Sequence, residues 1–197
     1  MALKLKIIIG STRPGRAGLT VGRWVEKFAR EYGKFDVELV DLVEIGLPLL
    51  DEAAHPIAGQ YQHEHTKRWS QIVASADAYI FVTPEYDAFP PAALVNSVQC
   101  LVHEWLEKPA GIVSYGGVAA GTRSAQALKQ LLGVVNVVAL SQSVPIPFFS
   151  QFIGDDGVFR PNEPMTDGAR IMFTELHKWA AALKSMRETT AEAQAAP

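Results

Sequence analysis

The sequence predicts an α/β fold in which helices pack on both faces of a five-stranded parallel sheet. Short aliphatic runs alternate along the chain with segments whose apolar residues recur at helical spacing. Several of these runs are apolar at every position, as strands buried on both faces of a sheet are. A length of 197 residues suits one domain of this class.

The predicted strands lie at residues 5–9, 37–42, 78–82, 110–113 and 137–140. Acidic residues stand between the apolar ones in the second strand, so we expect that strand to be half-exposed. Gly10, Pro84 and Gly116 follow the first, third and fourth strands and end them.

Apolar stripes at helical spacing predict helices within residues 21–32, 69–76, 94–105, 125–132 and 169–183. Residues 43–62 read as irregular, and a proline-rich loop spans residues 144–164. The last nine residues lack large apolar side chains. The sequence therefore predicts one domain over residues 1–188 and a disordered tail over residues 189–197.

Right-handed helical crossovers leave few arrangements of these strands, and five strands favour the order 2-1-3-4-5. This arrangement is the flavodoxin-like three-layer sandwich. Ligands of such sheets bind beyond the carboxyl ends of the strands, beside strand one. Three loops should meet there, at residues 10–18, 84–91 and 114–122.

Composition excludes several classes of function. With 18 basic and 21 acidic residues the net charge is -3, which gives no reason to expect a nucleic-acid partner. No apolar run reaches the ~18–20 residues of a membrane span, and the N-terminal run is too short for a signal peptide. A single cysteine excludes an intrachain disulfide and a cysteine zinc site. We therefore expect a cytoplasmic protein without a membrane partner or a bound metal.

The first of the three loops, residues 10–18, has the features of a phosphate site. It joins a buried strand to a helix, so its amides lie at the positive end of the helix dipole. Ser11 adds a hydroxyl donor, and Arg13 and Arg16 add positive charge. A P-loop would need Lys at position 16, and a dinucleotide fingerprint would need Gly at position 12. A compact phosphate monoester therefore suits this loop best.

The other two loops suit a planar ring. Residues 84–91 form a rigid aromatic segment directly after a buried strand. In residues 114–122, Gly116 and Gly117 allow the backbone to approach a ligand closely. A phosphate site beside two loops of this kind describes an FMN site.

The same motifs resemble those of the flavodoxin-like NADPH-dependent FMN reductase family, in its branch of NAD(P)H:quinone, azo-dye and chromate reductases. The family pattern Gly-Ser-x-Arg matches residues 10–13, and Pro-Glu-Tyr-Asn is similar to residues 84–87. Pro-x-x-Leu-Lys-Asn is similar to residues 91–96, and Lys-Pro followed by Ser-x-Gly-Gly is similar to residues 108–117. The resemblance runs from about residue 4 to residue 160.

The resemblance implies a set of FMN-binding residues: Ser11, Arg13, Arg16, Pro84, Glu85, Tyr86, Asp87, Ser114, Tyr115, Gly116 and Gly117. The first three would hold the phosphate. Residues 84–87 would line the reactive edge of the isoalloxazine, mostly through backbone groups, and residues 114–117 would contact its pyrimidine end. The flavin would carry the chemistry, so no residue is singled out as a catalytic acid or base. The helix carrying Asn96 and Trp105 would help to form a homodimer or tetramer, with Trp105 facing solvent or a partner subunit.

The chain departs from the family pattern at three positions. Asp87 stands where Asn is usual, and a carboxylate cannot donate the hydrogen bond of an amide. Val95 replaces a usual Lys and Gln99 a common Asp, so both members of one ion pair are lost together. We therefore expect only Asp87 to affect flavin binding.

The resemblance implies an enzyme that passes electrons from NADPH or NADH through bound FMN by a ping-pong scheme. The acceptor would be a quinone, an azo compound, a metal oxyanion or free flavin. Two alternatives stay open at the level of the sequence. One is a flavodoxin-like electron carrier or regulatory module, and the other is a relative that has lost FMN because of Asp87.

Overall fold

The computed structural model describes residues 2–195, which contain a parallel sheet of five strands in the order β2-β1-β3-β4-β5. The strands are β1 (Leu3–Ile9), β2 (Phe35–Asp41), β3 (Ala78–Pro84), β4 (Pro109–Tyr115) and β5 (Val138–Ile146). Every neighbouring pair runs parallel. The predicted fold class and strand order are therefore confirmed.

Helices cover both faces of the sheet. They are α1 (Gly18–Tyr32), α2 (Leu42–Ile45), α3 (Glu64–Ala74), α4 (Ala92–Gln99), α5 (Thr122–Val134) and α6 (Glu163–Ala195). Helices α1 and α6 bury their apolar side chains on one face, and α3, α4 and α5 bury theirs on the other. No helix within residues 2–195 is long and apolar enough to cross a membrane.

The central strand β3 is apolar throughout residues 78–82 because its side chains enter the cores on both faces of the sheet. Ile80 and Val82 enter the core beneath α1 and α6, whereas Tyr79 and Phe81 enter the opposite core. All four side chains are fully buried. Each contributes about 1.5–3 kcal/mol through removal of apolar surface from water, so both faces of this strand hold the two layers of helices to the sheet.

The third helix is shorter than the sequence predicts. Its apolar spacing continues to residue 105, but α4 ends at Gln99. Two indole N–H groups donate hydrogen bonds to carbonyls of its last turn. Trp69 donates to Ser97 O at 2.8 Å, and Trp105 donates to Val98 O at 3.2 Å. Trp105 is fully buried. The prediction that it faces solvent or a partner subunit is therefore wrong.

Smaller differences concern the segments between and after the predicted elements. Residues 43–62, predicted to be irregular, include most of α2 and a 3₁₀ turn at Pro56–Ala58. Helix α6 continues through residues 189–195, where the sequence predicts a disordered tail. Residues 196 and 197 of that tail lie outside the described residues. The division into a domain at 1–188 and a tail stays a prediction.

Candidate functional site

The three predicted loops meet beyond the carboxyl ends of β1, β3 and β4. The hydroxyl groups of Ser11 in the first loop and Tyr86 in the second are 2.7 Å apart. The hydroxyl of Tyr115, at the end of β4, lies so close to Gly18 that a Cβ there would be 2.9 Å from its oxygen. Burial raises the pKa of Tyr115, and the nearby Tyr86 raises it further, so this hydroxyl keeps its proton and remains a donor.

The first loop presents backbone donors that the protein does not use. The amides of Ser11, Thr12, Arg13 and Gly15 have no hydrogen-bond acceptor within residues 2–195. Helix α1 begins at Gly18 without a side-chain cap at its N-terminus. Unpaired amides at a helix N-terminus favour an anion, as the sequence analysis expects. The side chain of Arg13 is exposed and forms no ion pair with any described residue.

Arg16 is held by a residue that sequence reasoning missed. Its Nη2 donates to Asp41 Oδ2 at 2.5 Å, and its Nε is buried without a partner in the described part of the chain. Buried N–H groups in proteins nearly always have a hydrogen-bond acceptor, so this one indicates a missing acceptor such as a ligand. Asp41 ends β2, the neighbour of β1 in the sheet, so its place in the predicted strand order was a usable signal.

The second loop is a tight turn. Tyr86 and Phe89 exchange two backbone hydrogen bonds of 2.9 Å, and the residues between them have positive φ, 48° at Asp87 and 68° at Ala88. This is the pattern of a type I′ turn, in which Asn and Asp are both favoured. Asp87 therefore preserves the backbone of the family's Asn. Ala88 costs about 1–2 kcal/mol in this conformation, and such strain is typical of functional sites.

The carboxylate of Glu85 ties the second loop to the third. Its Oε2 accepts the backbone amide of Arg123 at 3.1 Å, and its Oε1 accepts Arg123 Nε at 2.6 Å. The side chain of Glu85 is almost fully buried, whereas that of Arg123 is mostly exposed. Because the carboxylate lies at the N-terminus of α5, the helix dipole stabilises its charge. Glu85 thus positions the loops through its side chain.

The third loop is closed by its own groups. Ser114 Oγ donates to the carbonyl of Ala120 at 2.9 Å, which commits this hydroxyl to the loop. Gly121 has a φ of 74°, and a Cβ there would lie 2.8 Å from the backbone nitrogen and oxygen of Tyr115. Only glycine fits this contact. The carbonyls of Gly116 and Gly117 accept amides from the segment after β5, a segment that the sequence analysis did not connect with the site.

The second and third loops enclose a pocket of about 420 Å³. Glu85, Asp87, Gly116, Gly117 and Arg123 are among the residues that line it. Its size lies near the lower end of the range for small-molecule sites. Pro84 ends β3 opposite Tyr115 in the sheet register, directly beneath these loops. The structure thus brings the predicted ring-binding loops together, and the contacts assigned to each residue stay predictions.

Comparison with known proteins assigns this site to a family. The model of the NADPH-dependent FMN reductase family matches residues 3–151. The chain is 41% identical over 136 residues to an NAD(P)H-dependent FMN reductase of Schizosaccharomyces pombe, covering 68% of each chain. It is 28% identical over 151 residues to a 2-hydroxy-1,4-benzoquinone reductase of Burkholderia sp, covering 72% of this chain and 76% of the relative.

A solved structure agrees at the level of the fold. The flavoenzyme NAD(P)H:(acceptor) oxidoreductase of Paracoccus denitrificans superimposes with a TM-score of 0.73 at 19% identity. The match covers 92% of this chain and 98% of that chain. The family match spans the sheet, the first loop and both ring-binding loops. The chain therefore belongs to the NADPH-dependent FMN reductase family and is an oxidoreductase that uses FMN and NAD(P)H.

Proposed function

We propose that this protein passes electrons from NAD(P)H to a small quinone by a ping-pong scheme. Azo compounds, metal oxyanions and free flavin are further candidate acceptors. Bound FMN would supply the chemistry, taking a hydride from the nicotinamide and releasing two electrons to the acceptor. The observation that carries the proposal is the meeting of a loop of unused donors with the pocket between the second and third loops at the same edge of the sheet.

The residues present fit FMN. The free amides of residues 11–15, the exposed Arg13 and the unpartnered Nε of Arg16 would hold a phosphate. The turn at residues 84–89 and the glycines at 116 and 117 would place backbone groups against a flat ring. These backbone groups would contact the ring without an ionised side chain. The carboxylate of Glu85, which lies nearby, is already bonded to Arg123.

The ping-pong order follows from the use of one cleft. The ring of FMN would itself occupy the pocket of about 420 Å³ between the second and third loops. A nicotinamide and a quinone would both have to reach the ring from the same cleft, so the first product would leave before the acceptor binds. The quinone reductase among the relatives supports the acceptor class.

Anaerobic stopped-flow spectroscopy of the FMN-loaded protein tests the proposal. We expect NADPH or NADH to bleach the flavin absorbance, and a benzoquinone to restore it in a second mixing. Steady-state rates at several fixed quinone concentrations should give parallel double-reciprocal lines. Intersecting lines would contradict the ping-pong order. A protein that binds FMN but is not bleached would be an electron carrier, and one that binds no FMN would refute the proposal.

We also propose a cytoplasmic homodimer or tetramer, and the structure moves the candidate contact away from Trp105. Asn96 is used within the subunit, where it donates to Pro48 O at 2.7 Å and accepts from the amide of Leu50 at 2.9 Å. The loop that it holds exposes Leu49, at 76% of its surface, and Leu50. Contiguous exposed apolar surface is typical of interfaces, so we assign the contact to this loop. Light scattering of the wild type and of Leu49→Glu tests the assignment.

A further inference from the structure

Asp41 occupies a special place beside the first loop. It is the last residue of β2 and pairs in register with Ile9, the last residue of β1. The first loop leaves β1 at the next residue, so Asp41 lies at its base. The side chain is buried, with 6% of its surface exposed. A buried carboxylate needs partners that compensate its charge.

Both carboxylate oxygens of Asp41 have fixed partners. Oδ1 accepts the backbone amide of Val43 at 3.1 Å and so caps the N-terminus of α2. Oδ2 accepts Arg16 Nη2 at 2.5 Å. The bond to the helix restrains the carboxylate, and the second oxygen is thereby directed toward Arg16.

The bond to Asp41 limits where the rest of the guanidinium points. A guanidinium is planar and carries its donors at fixed angles, so holding Nη2 restricts the directions in which Nε can point. Arg16 Nε is buried and has no partner within residues 2–195. The unused amides of residues 11–15 belong to the same loop. An anion bound by these amides would supply the acceptor that Nε lacks.

We propose that Asp41 is a positioning residue of the FMN phosphate site. It holds Arg16 with one donor so that Nε is free to bond the phosphate, and the arginine separates the negative charges of the carboxylate and the phosphate. The inference rests on FMN binding at the first loop. It adds a residue to which the family pattern and the loop sequence gave no role.

The test compares FMN with riboflavin, which has the same ring and no phosphate. Asp41→Asn keeps an oxygen for the amide of Val43 but turns an NH₂ group toward Arg16. We expect the Kd for FMN, measured by quenching of flavin fluorescence on titration of apo-protein, to rise about tenfold, the effect of one lost hydrogen bond between charged groups. The Kd for riboflavin should stay within about twofold. Asp36→Asn, an exposed residue of the same strand, is the matched control and should change neither constant.

The outcomes distinguish a positioning role of Asp41 in the phosphate site from a general structural role. An unchanged FMN affinity in Asp41→Asn overturns the inference, and so does an equal loss for FMN and riboflavin, which would mean a general structural role. If Asp41→Asn does not fold, Asp41→Ser retains a cap for α2 without the charge and is subject to the same criteria. A wild type that binds FMN no more tightly than riboflavin would instead refute the phosphate site at the first loop, and with it the FMN site of the proposed function.

Discussion

Two largely buried cations, Arg16 and Lys108, lie at opposite kinds of helix terminus. Lys108 lies at the C-terminal end of α3, where its Nζ donates to Val73 O at 3.1 Å, Ala74 O at 3.0 Å and the Tyr79 hydroxyl at 3.3 Å. All three of its donors are used. Arg16 lies at the N-terminal end of α1, where one bond joins it to Asp41 and its Nε has no partner in the described chain.

The helix dipole sharpens this difference. A cation stabilises the C-terminus of a helix and is unfavourable at the N-terminus. Lys108 uses all of its donors within the protein, as a structural group does. Arg16 is paired with Asp41 but keeps Nε without an acceptor in the described chain, which is the condition of a binding group. An unmet donor thus separates this binding residue from the structural one more clearly than burial does.

The largest effect should follow from removing the structural cation. Lys108→Ala leaves the carbonyl of Ala74 without its donor and a cavity beneath α3. We expect the free energy of unfolding, measured by urea denaturation, to fall by about 3 kcal/mol. Lys67→Ala, an exposed lysine on α3, is the control and should cost less than about 0.5 kcal/mol. A Lys108→Ala variant as stable as the wild type would show that the three bonds contribute nothing net.

The second effect should follow from changing the binding cation. Arg16→Lys keeps a positive charge for Asp41 but has no Nε donor. We expect the Kd for FMN to rise about tenfold, equal to about 1.4 kcal/mol, while stability changes by less than about 1 kcal/mol. Arg13→Lys, which keeps the charge on the exposed side chain of the same loop, should have a smaller effect. If Arg16→Lys lost stability but not affinity, the contrast with Lys108 would fail.

The contrast also explains how far the sequence could predict the site. Uninterrupted apolar runs such as residues 78–82 determine the strands, and the strand order brings the three loops to one edge. Arg16 was identified from its loop, but its pairing with Asp41 joins residues 25 positions apart. Hydrogen bonds of this kind depend on side-chain directions that no local pattern encodes.

Two further residues show the same limit. Glu85 was expected to line the ring mostly through backbone groups, but the bond of its carboxylate to Arg123, 38 positions away, was not predicted, because the second and third loops touch only in the folded chain. Trp105 continued a helical stripe, and only the folded structure shows its indole N–H bonding the carbonyl of Val98. The helical spacing of apolar residues predicted an apolar stripe that includes Trp105, but it did not predict that α4 ends at Gln99.

A third cation, Arg123, should give a smaller effect because it is exposed. Its guanidinium bonds to Glu85, but 64% of its side chain is in contact with solvent. Arg123→Ala retains the backbone amide that Glu85 also accepts, so we expect a loss of about 1 kcal/mol in the free energy of unfolding. Raising the salt concentration should reduce the difference from the wild type. A loss of 3 kcal/mol or more would place Arg123 beside Lys108 as a structural cation.

The smallest effect is a pH dependence to which Lys108 contributes a rise in stability. Burial lowers the pKa of Lys108 to about 8, and the nearby Arg187 lowers it further, against the opposite effects of Asp77 and Glu104. Above pH 8 the folded protein loses this proton while the unfolded chain still binds it, so stability should rise with pH. The gain between pH 8 and pH 9 should be at most about 1 kcal/mol.

Denaturation at pH 8 and pH 9 in the wild type and in Lys108→Met measures this gain. The upper limit of pH 9 matters because burial raises the pKa of the Cys100 thiol to about 11 and also raises the pKa values of Tyr61, Tyr79 and Tyr115 in the folded protein. The protonated forms of these groups stabilise the fold, and this contribution is lost above about pH 9 for the thiol and above about pH 10 for the tyrosines, opposite in sign to the lysine. Lys108→Met should remove the rise and Arg16→Lys should retain it. An equal rise in both variants would assign the pH dependence to another group and leave Lys108 charged, with its three bonds intact, throughout this range.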